Sequence, residues 1–207
     1  RPLAYYGYGE MGLNPLPCVV DVAIACWPWG AYLGEDALTK GVRMKISSWT
    51  RLDHNTMPPA AKTVGNYVNS SLAKVEALKA GYDEAIMLNP QGFVSECTGE
   101  NIFVVRNGVI LTPPLSAGAL EGITQNCVAQ IAAELGYEMR VENIVRSDLY
   151  ISEEIFCCGT AAEVSAINSV DDREVPCPGP ITTAVAGLYA KAVRGQVAHY
   201  KHWCELA

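Results

Sequence analysis

The chain has 207 residues, half of them apolar and 18% charged, and its 15 basic against 22 acidic residues leave a formal charge of -7. That composition suits a folded globular chain with one sizeable core, and the acidity excludes a general binder of nucleic acid or anionic membrane. No apolar run approaches the roughly 18 residues that a bilayer span needs, and no basic-then-apolar leader opens the sequence as it stands.

The sequence starts at Arg1-Pro2-Leu3, without an initiator Met, as though entered partway through a domain. Residues 18–27 are rich in β-branched and apolar types and predict a buried strand, broken by Pro28-Trp29-Gly30. A glycine-containing connector follows, and a domain boundary is expected at 34–42. Residues 42–49 alternate as a strand. The spacing over 66–79 predicts an amphipathic helix with Val68, Leu72, Val75 and Leu78 on its apolar face. Short strands are expected at 84–88 and 92–96, around the turn Asn89-Pro90-Gln91-Gly92. Strands at 102–106 and 109–112 flank Asn107-Gly108, the strongest short-range hairpin signal. Gly122-Ile123-Thr124 opens a helix with Val128, Ile131, Ala132 and Leu135 on one face, and Gly136 stops it. Residues 138–145 and 154–158 read as strands, the second ending at Gly159-Thr160. A last helix near 181–194 places Ile181, Ala184, Val185 and Leu188 together. The elements interleave without a βαβ rhythm, which favours an α+β fold with mixed or antiparallel sheets.

The eight cysteines form no CxxC pair and sit mostly in apolar runs such as Ile155-Phe156-Cys157-Cys158. They read as structural thiols in a reducing, cytoplasmic setting. The three histidines are scattered or lie near the end, so no metal site is expected.

Lys62 stands in Pro58-Pro59-Ala60-Ala61-Lys62-Thr63-Val64, between apolar shoulders and just ahead of a helix. An amine held in apolar surroundings is destabilised as the ammonium and becomes a nucleophile, which a Schiff-base lysine requires. A snorkelling lysine is the plain alternative for this residue alone. Schiff-base chemistry on pyridoxal phosphate (PLP) also needs a carboxylate facing the pyridine nitrogen. Glu96 is the candidate, because it ends an apolar strand and its burial would require a charged partner; Glu100 competes for the role. A phosphate cradle is offered by the helix start at Gly122-Ile123-Thr124 and by the small-residue turn Gly159-Thr160-Ala161-Ala162, although no arginine is an obvious phosphate partner.

In this setting six segments resemble the fold-type IV PLP aminotransferases, and among them the branched-chain amino acid aminotransferases. They are Pro2 to Pro15, Pro28-Trp29-Gly30-Ala31-Tyr32-Leu33-Gly34, Ala60-Ala61-Lys62 to Asn66-Tyr67, Ser95-Glu96 to Gly99-Glu100-Asn101, Leu120-Glu121-Gly122-Ile123-Thr124, and Gly159-Thr160-Ala161-Ala162-Glu163. The resemblance implies that Lys62 forms the imine with PLP and later carries the substrate's proton. It implies that Glu96 pairs with the pyridine nitrogen and that Tyr67 lies near the ring hydroxyl. Leu120, Ile123, Thr124 and Thr160 complete the cofactor site. Thr160 and Ala161 would hold the substrate carboxylate, with Trp29 and Tyr32 lining the side-chain pocket. Met11 and Leu13 would reach a neighbouring subunit's site, and Arg1 would bind the distal carboxylate of glutamate. For Trp29, Tyr32, Met11 and Leu13, ordinary core packing is the competing reading.

Members of the family extend further ahead of Arg1, by most of a small domain that normally supplies the phosphate-binding arginine. The expected organisation is a small-domain remnant at 1–33, a linker at 34–42 and a large PLP-binding domain at 43–207. The implied activity is transamination of leucine, isoleucine or valine with 2-oxoglutarate by a homodimer or higher homo-oligomer. Another fold-type IV activity (a D-amino-acid or aromatic transaminase, or aminodeoxychorismate lyase) and a non-catalytic, cofactor-binding or dimerising fragment stay open as rivals.

Overall fold

The computed structural model describes residues 1–30, 32–34, 37 and 39–205. Ala31 of the Pro28–Gly34 segment and Glu35, Asp36 and Leu38 of the expected linker lie outside the described residues. The chain divides into two compact units, Arg1–Gly30 and Ala31–Ala207.

The first unit is an antiparallel ribbon of β1 (Pro2–Tyr6) and β2 (Val20–Ile24), in register from Pro2 opposite Ile24 to Tyr6 opposite Val20. The buried strand expected at 18–27 is thereby corrected. The strand exists, but every residue of β1 and β2 is exposed. A two-stranded ribbon has no further layer of its own to bury a face against. β1 was not expected at all, because Pro2 and two tyrosines give little alternation to read.

The second unit is built on a nine-stranded mixed sheet. Its strands are β3 (Val42–Ile46), β4 (Glu84–Leu88), β5 (Val94–Cys97), β6 (Asn101–Arg106), β7 (Val109–Thr112), β8 (Met139–Val141), β9 (Glu154–Gly159), β10 (Glu163–Val170) and β11 (Arg173–Glu174). The spatial order is β5-β4-β3-β10-β9-β6-β7-β8, with β11 beside β10. Parallel pairs join β3 to β4 and β10 and join β7 to β8; the other pairs are antiparallel. A bridge between Phe93 and Val145, and a Val94 N–H to Ile144 C=O bond of 2.8 Å, carry the segment after β8 back to β5. The sheet therefore curls on itself, and the α+β expectation with mixed strands holds.

The strand period of two sorts the core into layers. Ile102 and Val104 of β6 and Ile155 and Cys157 of β9 join Met44, Ile86 and Ile167 inside the curl. Phe103, Val105, Phe156 and Cys158 point the other way, against the helices α2 (Ile123–Glu134) and α4 (Pro180–Ala192). There the rings of Phe103 and Phe156 stack at 4.7 Å. At the Asn107-Gly108 turn both residues take positive φ (50° and 71°), as a tight primed hairpin turn requires. The long strand β10 escaped the sequence reading because Ser165, Asn168 and Ser169 interrupt its apolar run. The buried Ser165 is satisfied by donating to Ala162 C=O at 2.7 Å. The short helix α3 (Arg146–Tyr150) was also missed.

One helix face is inverted relative to expectation. α1 (Tyr67–Lys79) forms where predicted, yet Val68, Leu72, Val75 and Leu78 are 41–66% exposed. Its buried residues are Ser70, Ala73 and Ala77, and the two alanines pack toward Ala85 and Met87 of β4. Small side chains let the helix lie close to the strand, and closeness outweighs the larger apolar area on the opposite face. Overpacking Ala77→Leu is expected to destabilise the protein by about 1–3 kcal/mol. Leu72→Ala should cost less than about 1 kcal/mol. Urea titration of both variants checks this, and the reverse ranking contradicts the inverted face.

Candidate active site

Lys62 lies in the loop before a short 3-10 turn (Val64–Asn66) that leads into α1. Asn66 ties that loop down, its side-chain amide donating to Ala61 C=O at 3.2 Å. Glu96 lies in β5 and is 5% exposed. The helix start falls where the sequence placed it: Gly122 is the N-cap of α2, and no side chain caps the helix. The N–H groups of its first turn are therefore available to an anion, with the helix dipole behind them. A Cβ at Gly122 would stand 2.1 Å from Asn101 Oδ1, so the approach needs glycine. Gly159-Thr160-Ala161-Ala162 forms the tip of the β9–β10 hairpin.

These parts meet around one cavity of about 310 Å³, whose lining comes wholly from the second unit. Lys62, Tyr67, Glu96, Leu120, Ile123, Thr124 and Thr160 all line it. Ala161 follows Thr160 in the same turn but is not part of the lining. Tyr32 is not part of it either, although its hydroxyl lies 4.0 Å from the Cβ position of the lining residue Gly99. Arg1, Met11, Leu13 and Trp29 belong to the first unit. There the Arg1 amino group donates to Ala25 C=O at 2.7 Å and Trp29 stacks on Trp27 at 5.5 Å. Met11 and Leu13 are fully exposed, so the packing expected for them is absent from this unit.

The apolar enclosure expected of Lys62 is corrected: the residue is exposed, because alanines and a threonine in a loop cannot cover a long side chain. Sequence reasoning also passed over the strongest electrostatic feature, Arg51. This arginine lines the cavity, is almost fully buried, and forms an ion pair with Glu96 Oε1. The only signal was position, two residues after the Ser47-Ser48-Trp49 run that ends a strand. Glu96 Oε2 accepts from Leu120 N–H at 2.9 Å and from Asn101 Nδ2 at 3.5 Å. Burial raises the Glu96 carboxyl above the ordinary carboxylate value, while Arg51, the Leu120 N–H and the charge on Lys62 pull it back down.

Glu100, the competitor for the role of Glu96, is buried beside it in a different state. Its Oε2 accepts from Gly99 N–H at 3.2 Å, while Oε1 has no hydrogen-bond partner. Burial and the charge of Glu84 push Glu100 up to about 8. Glu84 is itself held by Lys74 at 2.8 Å and by the Thr98 hydroxyl at 2.7 Å. Of the three buried carboxyls, Glu96 is ion-paired with Arg51 and Glu84 with Lys74, and Glu100, beside the charge of Glu84, is pushed toward its protonated form.

A helix N-terminus open to an anion, a carboxylate fixed by an arginine, and an amine within one cavity fit the donor set that PLP requires. The family model for class IV amino-transferases matches residues 16–170. A branched-chain-amino-acid aminotransferase of Pseudomonas aeruginosa is 43% identical over 205 residues, 98% of this chain and 66% of that protein. The Escherichia coli protein of the same name is 42% identical over 209 residues, covering 99% of this chain and 67% of its own length. Among solved structures, the branched-chain aminotransferase from Thermoproteus uzoniensis with norvaline superposes with a TM-score of 0.93 at 44% identity, over 98% of this chain and 66% of that one. The one from Thermobaculum terrenum in its PLP form gives 0.91 at 38% identity, over 98% and 66%. The chain thus spans about two thirds of the length of the relatives it matches.

Glu100 makes stability depend on pH. The folded chain keeps a proton to about pH 8 that the unfolded chain releases near the ordinary value of 4.5, so stability falls as pH rises across that window. Urea midpoints of the native protein are expected to drop from about pH 5 to about pH 9, and Glu100→Gln should flatten that drop. An equal slope in both proteins contradicts the assignment.

Proposed function

The chain belongs to the class IV aminotransferases, and from that premise we propose that the protein moves the amino group of leucine, isoleucine or valine to 2-oxoglutarate, giving the branched 2-oxo acid and L-glutamate. The observation that carries this reading is the single cavity in which Lys62, Glu96 and the uncapped start of α2 come together. The names of the relatives supply the branched-chain preference. PLP, when bound, supplies the electron-withdrawing ring that makes the substrate's Cα proton acidic.

In this reading the Ile123 and Thr124 N–H groups and the Thr160 hydroxyl hold the phosphate. Glu96 would present its carboxylate to the pyridine nitrogen, and Leu120 holds that carboxylate through its N–H. Tyr67, which lines the cavity, would face the ring hydroxyl. Lys62 Nζ would take the proton from the substrate Cα and later give it back, its exposed side chain reaching into the cavity from a loop that Asn66 holds. The amides of Thr160 and Ala161 bind the substrate carboxylate at the hairpin tip. The substrate-side roles of Arg1, Met11, Leu13, Trp29 and Tyr32 rest on the family resemblance alone.

We further propose a homodimer, or a higher homo-oligomer, of a cytoplasmic enzyme. Large apolar residues exposed on β1, β2 and α1 support it, since such surface marks an interface. Among the described residues no helix is long and apolar enough to cross a membrane.

An amino-donor panel on the full-length protein tests the substrate class: L-leucine, L-isoleucine and L-valine should be used. Use of D-alanine with no reaction of L-leucine contradicts it. Glu96→Gln should retain PLP and lower kcat by roughly a hundredfold or more, and a native kcat in that variant removes Glu96 from the role. Light scattering is expected to report a dimer or larger assembly, and a monomer at working concentration contradicts that part.

A further inference from the structure

Arg51 is held more completely than an ion pair needs. Its own N–H donates to Leu88 C=O at 2.8 Å, which fixes the backbone beside the end of β4. Nε donates to Gly118 C=O at 3.3 Å, Nη1 to the Ser70 hydroxyl of α1 at 3.0 Å, and Nη2 meets Glu96 Oε1. Each of its three side-chain nitrogens has a protein partner, so the plane and direction of the guanidinium are fixed from three sides. Its orientation serves one carboxylate oxygen.

Resting on the class IV reading of the cavity, the geometry points to Arg51 as the positioning residue that keeps Glu96 anionic and aimed, so that Glu96 meets the cofactor ring as a hydrogen-bond acceptor. The neighbours of Glu96 make the case. A carboxyl 5% exposed is driven toward its neutral form by desolvation. Arg51 is the foremost group opposing that, ahead of the Leu120 N–H and the Lys62 charge. Asn101 adds a neutral donor at 3.5 Å. Glu100, from the turn after β5, would add a repelling charge if ionised, and Glu84 behind it is already neutralised by Lys74. Without Arg51, the cation among the described residues that would still favour the charge on Glu96 is Lys62, on an exposed loop. A Glu96 that has taken up a proton donates rather than accepts, and it can no longer stabilise a proton on a ring nitrogen.

The test reads the carboxyl directly. In cofactor-free, full-length protein labelled with carboxyl-13C glutamate, the Glu96 signal is identified by its loss in Glu96→Gln. Arg51→Met is expected to raise the Glu96 titration by roughly two pH units. Arg51→Lys, which keeps a charge but loses the fork, should raise it by less. A folded Arg51→Met protein with an unmoved Glu96 titration overturns the proposal. If Arg51→Met does not fold, Arg51→Lys decides, and no upward shift there overturns it. In protein loaded with ring-15N PLP, the nitrogen signal should move to its unprotonated position in Arg51→Met and return part of the way in Arg51→Lys. A native protein that never binds PLP counts against the class IV reading alone, because the glutamate titration is made without cofactor.

Discussion

A carboxylate buried in a curled, mostly apolar sheet is the constraint around which the second unit is arranged. Glu96 sits in β5, and four separate parts of the chain converge to hold it. The segment after β3 sends Arg51, and α1 sends Ser70 to steady Arg51. The start of β6 sends Asn101, and the stretch before α2 supplies the Gly118 C=O and the Leu120 N–H. Removing one partner of a buried ion pair typically costs about 3–5 kcal/mol. The folding of these segments and the readiness of the cavity are therefore one energetic problem.

The inverted face of α1 makes sense in that light. Its inward side is small and polar because it delivers Ser70 to Arg51 and Lys74 to Glu84. Ala73 and Ala77 permit the close approach that brings both within hydrogen-bonding reach. Glu76 on the same helix accepts from the Ser47 hydroxyl at 2.5 Å and from Ser48 N–H at 3.0 Å, fastening the turn that leads to Arg51. A helix positioned by its polar contacts leaves its larger apolar residues outward, where the proposed oligomer would use them.

Much of this was legible in the sequence, and the part that was not shares one cause. Asn107-Gly108, Gly122 and the small-residue turn at Gly159-Thr160-Ala161-Ala162 announced themselves because turn and cap chemistry is local. All seven residues expected to touch the cofactor do line one cavity, since the motifs that carry them survive as short words. β10 and the face of α1 were misread because their burial is decided by partners distant in sequence. Arg51 was invisible for the same reason. Its role appears only once β3 and β5 are known to lie two strands apart in the same sheet. Glu96 announced that it needed a buried cation, but nothing local said which.

The central claim is that the cavity places the amine of Lys62 where PLP, held at the start of α2 and against Glu96, bonds to it. Borohydride reduction of the PLP-treated full-length protein, followed by peptide mass mapping, tests this most directly. The account predicts the cofactor fixed on the peptide carrying Lys62, with labelling abolished in Lys62→Ala. Stable labelling of a different lysine, or none at all in a folded native protein, would contradict it.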